Sequence, residues 1–255
     1  MIRIDLNSDL GESFGAYTLG EDRELLSVLT SANVACGFHA GDPTVMRKTV
    51  AAARKLGVGI GAHPGYPDLQ GFGRREMKMT PQESADFVSY QLGALYAFVR
   101  AEGGELQHVK PHGALYNTGC TDPALAEAIV RTVRAFSREL IILAPKKSCF
   151  YDAAEALQQP FAAEFFADRA YEPDGSLVSR SKAGSVIADP EICCARVLRM
   201  VQSGTVECMD GSVIPMECVS VCIHGDNAHA LEVAKAIRKM LEDHHIILRR
   251  MGDMA

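Results

Sequence analysis

Residues 2–12 read Ile-Arg-Ile-Asp-Leu-Asn-Ser-Asp-Leu-Gly-Glu, and they guide the interpretation of the whole chain. The first half alternates apolar and polar side chains, which is the period of a β-strand. Its isoleucines and leucine take one face, whereas Asp5 and Asn7 take the other, and Asp9 and Glu12 follow just beyond. The stretch therefore predicts a strand over residues 2–7 whose carboxyl end opens into a group of acids and amides.

Similar short segments recur along the chain and are separated by helical patterns. The further strand candidates are 32–38, 58–63, 106–112, 140–144, 161–168 and 219–224. Alternation of strands and helices is typical of a parallel sheet with its crossovers. About seven such units within 255 residues predict a distorted, seven-stranded (β/α) barrel that occupies residues 1–255 as one domain. A doubly wound open sheet is the alternative architecture.

Helix boundaries are marked by capping residues. The predicted helices are 43–56, 81–102, 122–138, 147–158, 190–203 and 227–243. Thr80-Pro81-Gln82-Glu83 has the form of a capping box with proline at the first helical position. Asp42, Asp189 and Asp226 stand where N-caps are expected, and Gly57 stands where a C-terminal glycine is expected. Residues 205–216 predict a hairpin that turns at Asp210-Gly211.

The composition excludes several classes of protein. Hydrophobic residues make up 47% of the chain and charged residues 23%, which is typical of soluble globular proteins. The net charge is −6 and there is no basic run, so we expect no nucleic acid partner. No apolar stretch approaches the ~18 residues of a membrane span. The eight cysteines lack C-x-x-C spacing, so we expect a cytoplasmic protein with reduced thiols.

Ionisable residues follow nearly every predicted strand, 140–144 being the exception. They are His39, His63, Lys110, His112, Asp168, Arg169, His224 and Asp226. In (β/α) barrels the carboxyl ends of the strands converge on one face, where active sites are built. Buried charges are costly unless they pair, bind a metal or serve a substrate. We therefore predict that these residues share a site with the acids that follow the first strand.

Each of these residues also has a simpler explanation. A single histidine at a strand end is more often a hydrogen-bonded structural residue, but four at equivalent positions favour a common site. Lys110 is suited either to an anionic group of a substrate or to a structural ion pair. A glycine-rich loop follows the third strand, and Arg74 or Arg75 within it is either an anion ligand or solvent-exposed. No P-loop or nucleophile-elbow motif is present in the sequence.

Six blocks of sequence resemble the LamB/YcsF family, whose members are described as A subunits of 5-oxoprolinase. The blocks are DLNSDLGESFG at 5–15, NVACGFHAGDP at 33–43, GAHPGYPD at 61–68, VKPHGALYN at 109–117, FADRAY at 166–171 and HGDN at 224–227. The resemblance covers essentially the whole chain. It implies a barrel similar to the sugar deacetylase fold. It also implies ATP-dependent hydrolysis of the cyclic amide 5-oxo-L-proline to L-glutamate, together with subunits B and C.

Roles within the site follow from the chemistry that this reaction requires. ATP would activate the lactam by phosphorylating its amide oxygen, whether the nucleotide binds this chain or a partner. Asp9 or Glu12 would act as base, His63 and His112 would transfer protons or orient groups, and Lys110 would neutralise a phosphate or carboxylate. Substrate would contact the remaining residues: Asp5, Asn7, His39, Asp168, Arg169, His224 and Asp226.

A divalent cation such as Mg²⁺ is a further expected cofactor. Its candidate ligands are Asp9, His63 and His112. Two other functions remain open from the sequence. One is a metal-dependent deacetylase or amidohydrolase that acts without ATP. The other is a non-catalytic subunit that binds the substrate.

Overall fold

A computed structural model describes residues 2–225 and 229–254 of the chain. Its strands are β1 (Arg3–Leu10), β2 (Ser31–Ala35), β3 (Gly59–His63), β4 (His108–Val109), β5 (Ile141–Ala144), β6 (Phe161–Phe166), β7 (Thr205–Glu207), β8 (Val213–Pro215), β9 (Ser220–Ile223) and β10 (Ile247–Leu248). Seven of them form a parallel sheet in the order β1-β2-β3-β4-β5-β6-β9. The short β10 lies beside the beginning of β1.

The sheet closes on itself because β9 pairs with β1 as well as with β6. Asn7 lies opposite Cys222 in the β1–β9 pair, and Asp9 lies opposite Asn33 in the β1–β2 pair. Closure removes both edges of the sheet and excludes the doubly wound alternative. The predicted seven-stranded barrel is therefore confirmed, and the carboxyl ends of its strands face one mouth.

Helices connect the strands on the outside of the barrel. They are α1 (Asp22–Leu26), α2 (Pro43–Leu56), α3 (Pro81–Ala101), α4 (Gly113–Thr121), α5 (Pro123–Phe136), α6 (Cys149–Leu157), α7 (Pro190–Ser203) and α8 (Ala230–Asp243). The predicted capping box of Thr80 and Glu83 is present. Asp42 and Asp189 cap α2 and α7 as expected. Within the described residues, no helix is both long and apolar enough to cross a membrane.

The main hydrophobic core lies between the barrel and its helices, and the barrel interior is largely polar. Outward-facing Ile4 and Leu6 are buried with the apolar faces of the helices. Inward-facing Asp5, Asn7 and Asp9 are equally buried but project into the barrel. Polar side chains in such a place must hydrogen-bond to one another. The alternation in residues 2–12 thus places apolar side chains in the layer outside the barrel and polar side chains in its interior.

Some element boundaries differ from those predicted. β1 continues to Leu10, so Asp9 lies within the strand and not beyond it. β4 is only two residues long, because Pro111 has no N–H to continue the ladder. α4 follows at once, although its sequence contains two glycines and two threonines, which are poor helix formers. The hairpin predicted over 205–216 is confirmed as β7 and β8.

Candidate functional site

The centre of the barrel mouth is a buried ammonium group between two carboxylates. Lys110 Nζ lies 2.9 Å from Asp9 Oδ1 and 3.0 Å from Glu164 Oε1. The same ammonium donates to Cys222 Sγ at 3.0 Å. Asn33 Nδ2 donates to Asp9 Oδ1 at 2.8 Å. Lys110 is only 2% exposed; its ammonium donates hydrogen bonds to Asp9 and Cys222, and its contact with Glu164 is an ion pair.

Asp9 and Lys110 are held in their charged forms by each other. Burial is the largest influence on Lys110 and favours its neutral form, but Asp9 outweighs it and raises the pKa of Lys110 well above its ordinary value. Burial likewise opposes ionisation of Asp9. The neighbouring His63 and Lys110 outweigh it and hold the pKa of Asp9 well below its usual range. The pair is therefore an ion pair throughout the neutral pH range.

Three imidazoles and a carboxylate stand beside this ion pair, and we call them the histidine–glutamate cluster: Glu12, His39, His63 and His112. His39 Nε2 lies 3.1 Å from Glu12 Oε1, and His63 Nε2 lies 2.9 Å from His112 Nδ1. The rings of His39 and His112 stack in parallel with centroids 3.7 Å apart. His63 Nε2 also lies 3.4 Å from Asp9 Oδ2. The cluster offers donor atoms that could hold a metal ion.

Two histidines of the cluster, His39 and His112, are disposed to be neutral. Burial has the largest effect and lowers the pKa of His39 well below its ordinary value, and the charge of His63 lowers it further. Burial, then the neighbouring charges of His39 and His63, lower the pKa of His112 in the same way. Neutral imidazoles present lone pairs that can accept a proton or bind a metal.

A loop after β3 covers the cluster with backbone at very short range. Phe72 packs its ring edge-on against His39 and His112, and it has a positive φ of 54° that is unusual outside glycine. A Cβ at Gly73 would lie 2.6 Å from His39 Cβ and 2.9 Å from His112 Cδ2. Only glycine allows this approach, so the loop encloses the imidazoles.

A second acid–histidine pair lies beside β6 and β9, nearer to solvent. His224 Nδ1 is 2.9 Å from Asp168 Oδ1, and the His224 side chain is 12% exposed. Burial opposes ionisation of Asp168, but the charge of His224 lowers the pKa of that carboxyl below its usual value. The His224 ring stacks on Phe166, whose ring is 5.0 Å from Lys110 Nζ. The two groups therefore share the same mouth.

Two predicted site residues lie deeper in the barrel and are not brought to the mouth. Asp5 accepts hydrogen bonds from Thr30, Ser31 and Ser220 at the amino ends of β2 and β9. Burial raises the pKa of Asp5 to about 6. Asn7 donates to Ser220 and accepts from Asn33. These two side chains therefore lie deeper in the barrel than the ion pair, and both contact Ser220.

The structure describes Arg169 and the two arginines of the loop after β3, but not Asp226. The Arg169 guanidinium donates to the backbone carbonyls of Val178 and Ser185, so it secures the loop after β6. Asp226 lies outside the described residues. Arg75 is engaged with Asp68, to which its Nε donates at 2.9 Å. Arg74 is exposed, and its guanidinium lies 4.8 Å from the centre of the Phe72 ring.

Glu164 is a member of the site that the sequence analysis missed. Glu164 is 1% exposed, pairs with Lys110 and accepts a hydrogen bond from Tyr116 at 3.0 Å. A lone acid within the apolar run Phe-Ala-Ala-Glu-Phe-Phe was the available signal. His108, which does not follow a strand and was not predicted either, is buried in the barrel and contacts Asn33 Oδ1 at 2.6 Å.

A cavity also lies elsewhere, outside the barrel wall. It has a volume of about 440 Å³ and is lined mostly by apolar side chains such as Ile4, Phe161, Met200 and Val219. None of the predicted site residues lines it. Its charged lining residues are Arg3, Lys146 and Glu217, with no histidine and no buried carboxylate among them, so we place the chemistry at the barrel mouth.

Comparison with known proteins agrees with this architecture. The A subunit of 5-oxoprolinase from Pyrococcus furiosus is 52% identical over 252 residues, which is 99% of each chain. The crystal structure of the lactam utilization protein from Thermus thermophilus superposes with a TM-score of 0.93 at 45% identity, over 98% of this chain and 100% of that one.

A more distant likeness concerns the fold alone. The catalytic domain of a peptidoglycan N-acetylglucosamine deacetylase from Eubacterium rectale has a TM-score of 0.53 at 12% identity, over 98% of this chain and 88% of that one. It confirms the expected similarity to the deacetylase barrel. The model of the LamB/YcsF family matches residues 4–255, and the chain therefore belongs to the LamB/YcsF family.

Proposed function

We propose that this chain is the A subunit of an ATP-dependent 5-oxoprolinase, which opens 5-oxo-L-proline to L-glutamate together with subunits B and C. The single observation that carries this proposal is 52% identity over 99% of the chain to a relative of that name. The site supports it independently. It combines a carboxylate, an ammonium group and several imidazoles in an enclosed mouth, as the hydrolysis of an activated amide requires.

The reaction has a high barrier because a lactam carbonyl is a weak electrophile. Transfer of a phosphoryl group from ATP to the lactam oxygen would make the ring carbon reactive. A water molecule would then add to that carbon, the ring C–N bond would break and the nitrogen would take a proton. A second water would release phosphate from the resulting acyl phosphate. The two steps that consume water need a base, and the phosphorylated species need cations that neutralise the phosphate.

We assign the base to His224 and its orientation to Asp168. Asp168 accepts the Nδ1 hydrogen of His224 at 2.9 Å, so the lone pair is on Nε2. This is how a carboxylate sets the tautomer of a histidine that accepts a proton. His224 is also the more solvent-accessible imidazole of the mouth, because those of the histidine–glutamate cluster are enclosed. Asp9, by contrast, is a weak base since its pKa is held low.

We assign Lys110 to Asp9 and not to a phosphate. Its ammonium donates to Asp9 and Cys222 and forms an ion pair with Glu164, and at 2% exposure it is enclosed by these neighbours. Its charge keeps Asp9 ionised beneath the substrate. For the phosphate or the substrate carboxylate we assign Arg74 of the covering loop, whose exposed guanidinium lies over Phe72 at the lip of the mouth. ATP itself would bind at the contact with a partner subunit.

The test is ATP-coupled turnover of 5-oxoproline by the reconstituted complex, with each of the three chains omitted in turn. We expect glutamate and phosphate only when all three chains and ATP are present. His224→Gln and Asp168→Asn should each lower kcat/KM by about 100-fold or more if the pair delivers the base. His244→Gln, at the exposed end of α8, is the matched control and should retain wild-type turnover.

The outcomes separate the proposal from its alternatives. Hydrolysis without ATP would favour a metal-dependent amidohydrolase, which the histidine–glutamate cluster makes the second candidate. Full activity without this chain would make it a non-catalytic subunit. Turnover that depends on the chain but is unchanged by His224→Gln would reject the assignment of the base and leave the function intact.

A further inference from the structure

The histidine–glutamate cluster draws one donor from each of four consecutive strand ends. Glu12 follows β1, His39 follows β2, His63 ends β3 and His112 follows β4. All four side chains are buried, and their donor atoms lie within 4.8 Å of one another. The short separations are 2.9, 3.1 and 3.6 Å between His63 and His112, His39 and Glu12, and His112 and Glu12.

The backbone determines which nitrogen of two histidines carries hydrogen. His63 Nδ1 lies 2.7 Å from the carbonyl oxygen of Lys110, and His112 Nε2 lies 2.8 Å from that of Phe72. A carbonyl oxygen only accepts, so these two nitrogens must donate. The remaining nitrogens, His63 Nε2 and His112 Nδ1, then both present lone pairs, and they face each other at 2.9 Å.

Two opposed lone pairs at this distance repel unless a positive centre lies between them. A proton on His63 Nε2, with Asp9 Oδ2 3.4 Å away as its counter-ion, would satisfy only this pair of nitrogens. A metal ion would use both lone pairs and the Glu12 carboxylate together. Histidines that ligate metals usually donate their other N–H to a backbone carbonyl or a carboxylate, as His63 and His112 do here.

We propose that Glu12, His39, His63 and His112 bind one divalent transition-metal ion of the Zn²⁺ class. Tetrahedral Zn²⁺ with nitrogen and oxygen ligands at about 2.1 Å places neighbouring ligand atoms about 3.4 Å apart. The three short separations in the cluster scatter around this value, and the wider ones, at up to 4.8 Å, would have to close by up to about 1.4 Å on binding. Imidazole donors favour Zn²⁺, Co²⁺ or Ni²⁺ over Mg²⁺, the ion expected from the sequence.

Asp9 belongs beside this ligand set and not within it. Its Oδ1 accepts from both Lys110 and Asn33, and its Oδ2 lies 3.4 Å from His63 Nε2. Four protein donors complete a tetrahedron, which is the arrangement of structural sites. The ion would therefore chiefly tie the ends of β1 to β4 together and, through the bond from His112 to Phe72, hold the covering loop in place.

The test is metal binding by the full-length chain, which does not depend on lactam turnover. Protein stripped with a chelator would be titrated with Zn²⁺ by calorimetry, and its bound metal would be counted by elemental analysis after dialysis. We expect one ion per chain and a higher Tm on loading, because an ion that binds only the folded state stabilises it. Co²⁺ in place of Zn²⁺ should give the visible bands of a four-coordinate ion.

Variants connect binding to these particular side chains. His63→Gln and Glu12→Gln should each weaken Zn²⁺ binding by at least about 100-fold, as expected for loss of a direct ligand. His244→Gln should bind as the wild type does. Far-UV circular dichroism identifies a variant that fails to fold, and the Co²⁺ spectrum of the wild-type chain then decides. No stoichiometric binding by the wild type, a six-coordinate Co²⁺ spectrum, or equal binding by folded His63→Gln and wild type would overturn the proposal.

Discussion

Replacement of Lys110 by methionine tests whether its ammonium group neutralises the buried carboxylates of Asp9 and Glu164. Lys110 Nζ lies 2.9 Å from Asp9 Oδ1 and 3.0 Å from Glu164 Oε1, so those two oxygens are at most 5.9 Å apart, the sum of the two distances. Without the ammonium, two buried carboxylates would face each other. At an effective dielectric constant of about 20 their repulsion is about 3 kcal/mol. Removal of one partner from a buried ion pair typically costs about 3–5 kcal/mol.

We therefore expect Lys110→Met to lower the free energy of unfolding by about 3–5 kcal/mol at pH 7.5, with a fall in Tm of roughly 6–20 °C. The pH dependence has a definite sign. In the variant the folded pKa of Asp9 would be raised above its unfolded value near 4. The penalty is then absent below that unfolded value and develops as the pH rises through the raised folded pKa. The stability gap to the wild type should narrow between pH 7.5 and pH 5.

The assay is equilibrium urea unfolding followed by far-UV circular dichroism, since the chain has no tryptophan. Lys235→Met, on the exposed face of α8, is the matched control and should change stability by less than about 0.5 kcal/mol. Adding Glu164→Gln to Lys110→Met should restore part of the loss. Equal stability of Lys110→Met and wild type at pH 7.5, or a loss of the same size at both pH values, would refute the electrostatic account.

Two further predictions concern the floor and the cover of the site. Burial raises the pKa of Asp5 to about 6, so the contribution of Asp5 to the free energy of unfolding should fall by about 2 kcal/mol as the pH rises from about 4 to about 6. Asp5→Asn should remove this slope in urea titrations, and an unchanged slope would contradict the prediction. Gly73→Ala should impair turnover by the complex, because its Cβ would collide with His39 and His112. Gly57→Ala is the control: Gly57 has a similar positive φ but nothing within 4 Å of an added Cβ, so this variant should lose only about 1–2 kcal/mol of stability. Equal turnover of the two variants would contradict the inference that the loop around Phe72 is rigid.

Several parts of the site follow from the sequence because they depend on local rules. Alternation places Asp5, Asn7 and Asp9 on one face of β1 whatever the strand packs against. Histidines that follow parallel strands must meet at one end of a closed barrel. For this reason His63 and His112 could be predicted as neighbours, and the structure places them in contact. The prediction needed only strand direction and the order of elements.

The depth of a side chain within the barrel could not be predicted from the sequence, because it depends on the register of each strand relative to its neighbours. Asp5 shares a face with Asp9 but lies opposite Ser220, the first residue of β9, and so lies near the amino ends of the strands. Glu164 also lies opposite Ser220, yet it reaches Lys110 from across the barrel. Sequence spacing gives the face of a residue and not its height or its partner across the interior.

Local periodicity and chain direction are enough to predict the type of fold, the inward face of each strand and the end at which the chemistry collects. Closure of β9 on β1, the positive φ of Phe72 and the hydrogen-bonded tautomers of His63 and His112 can be read only from the three-dimensional arrangement. Each of them depends on contacts between residues far apart in the chain. Packing and solvent exclusion select such contacts only after the barrel has closed.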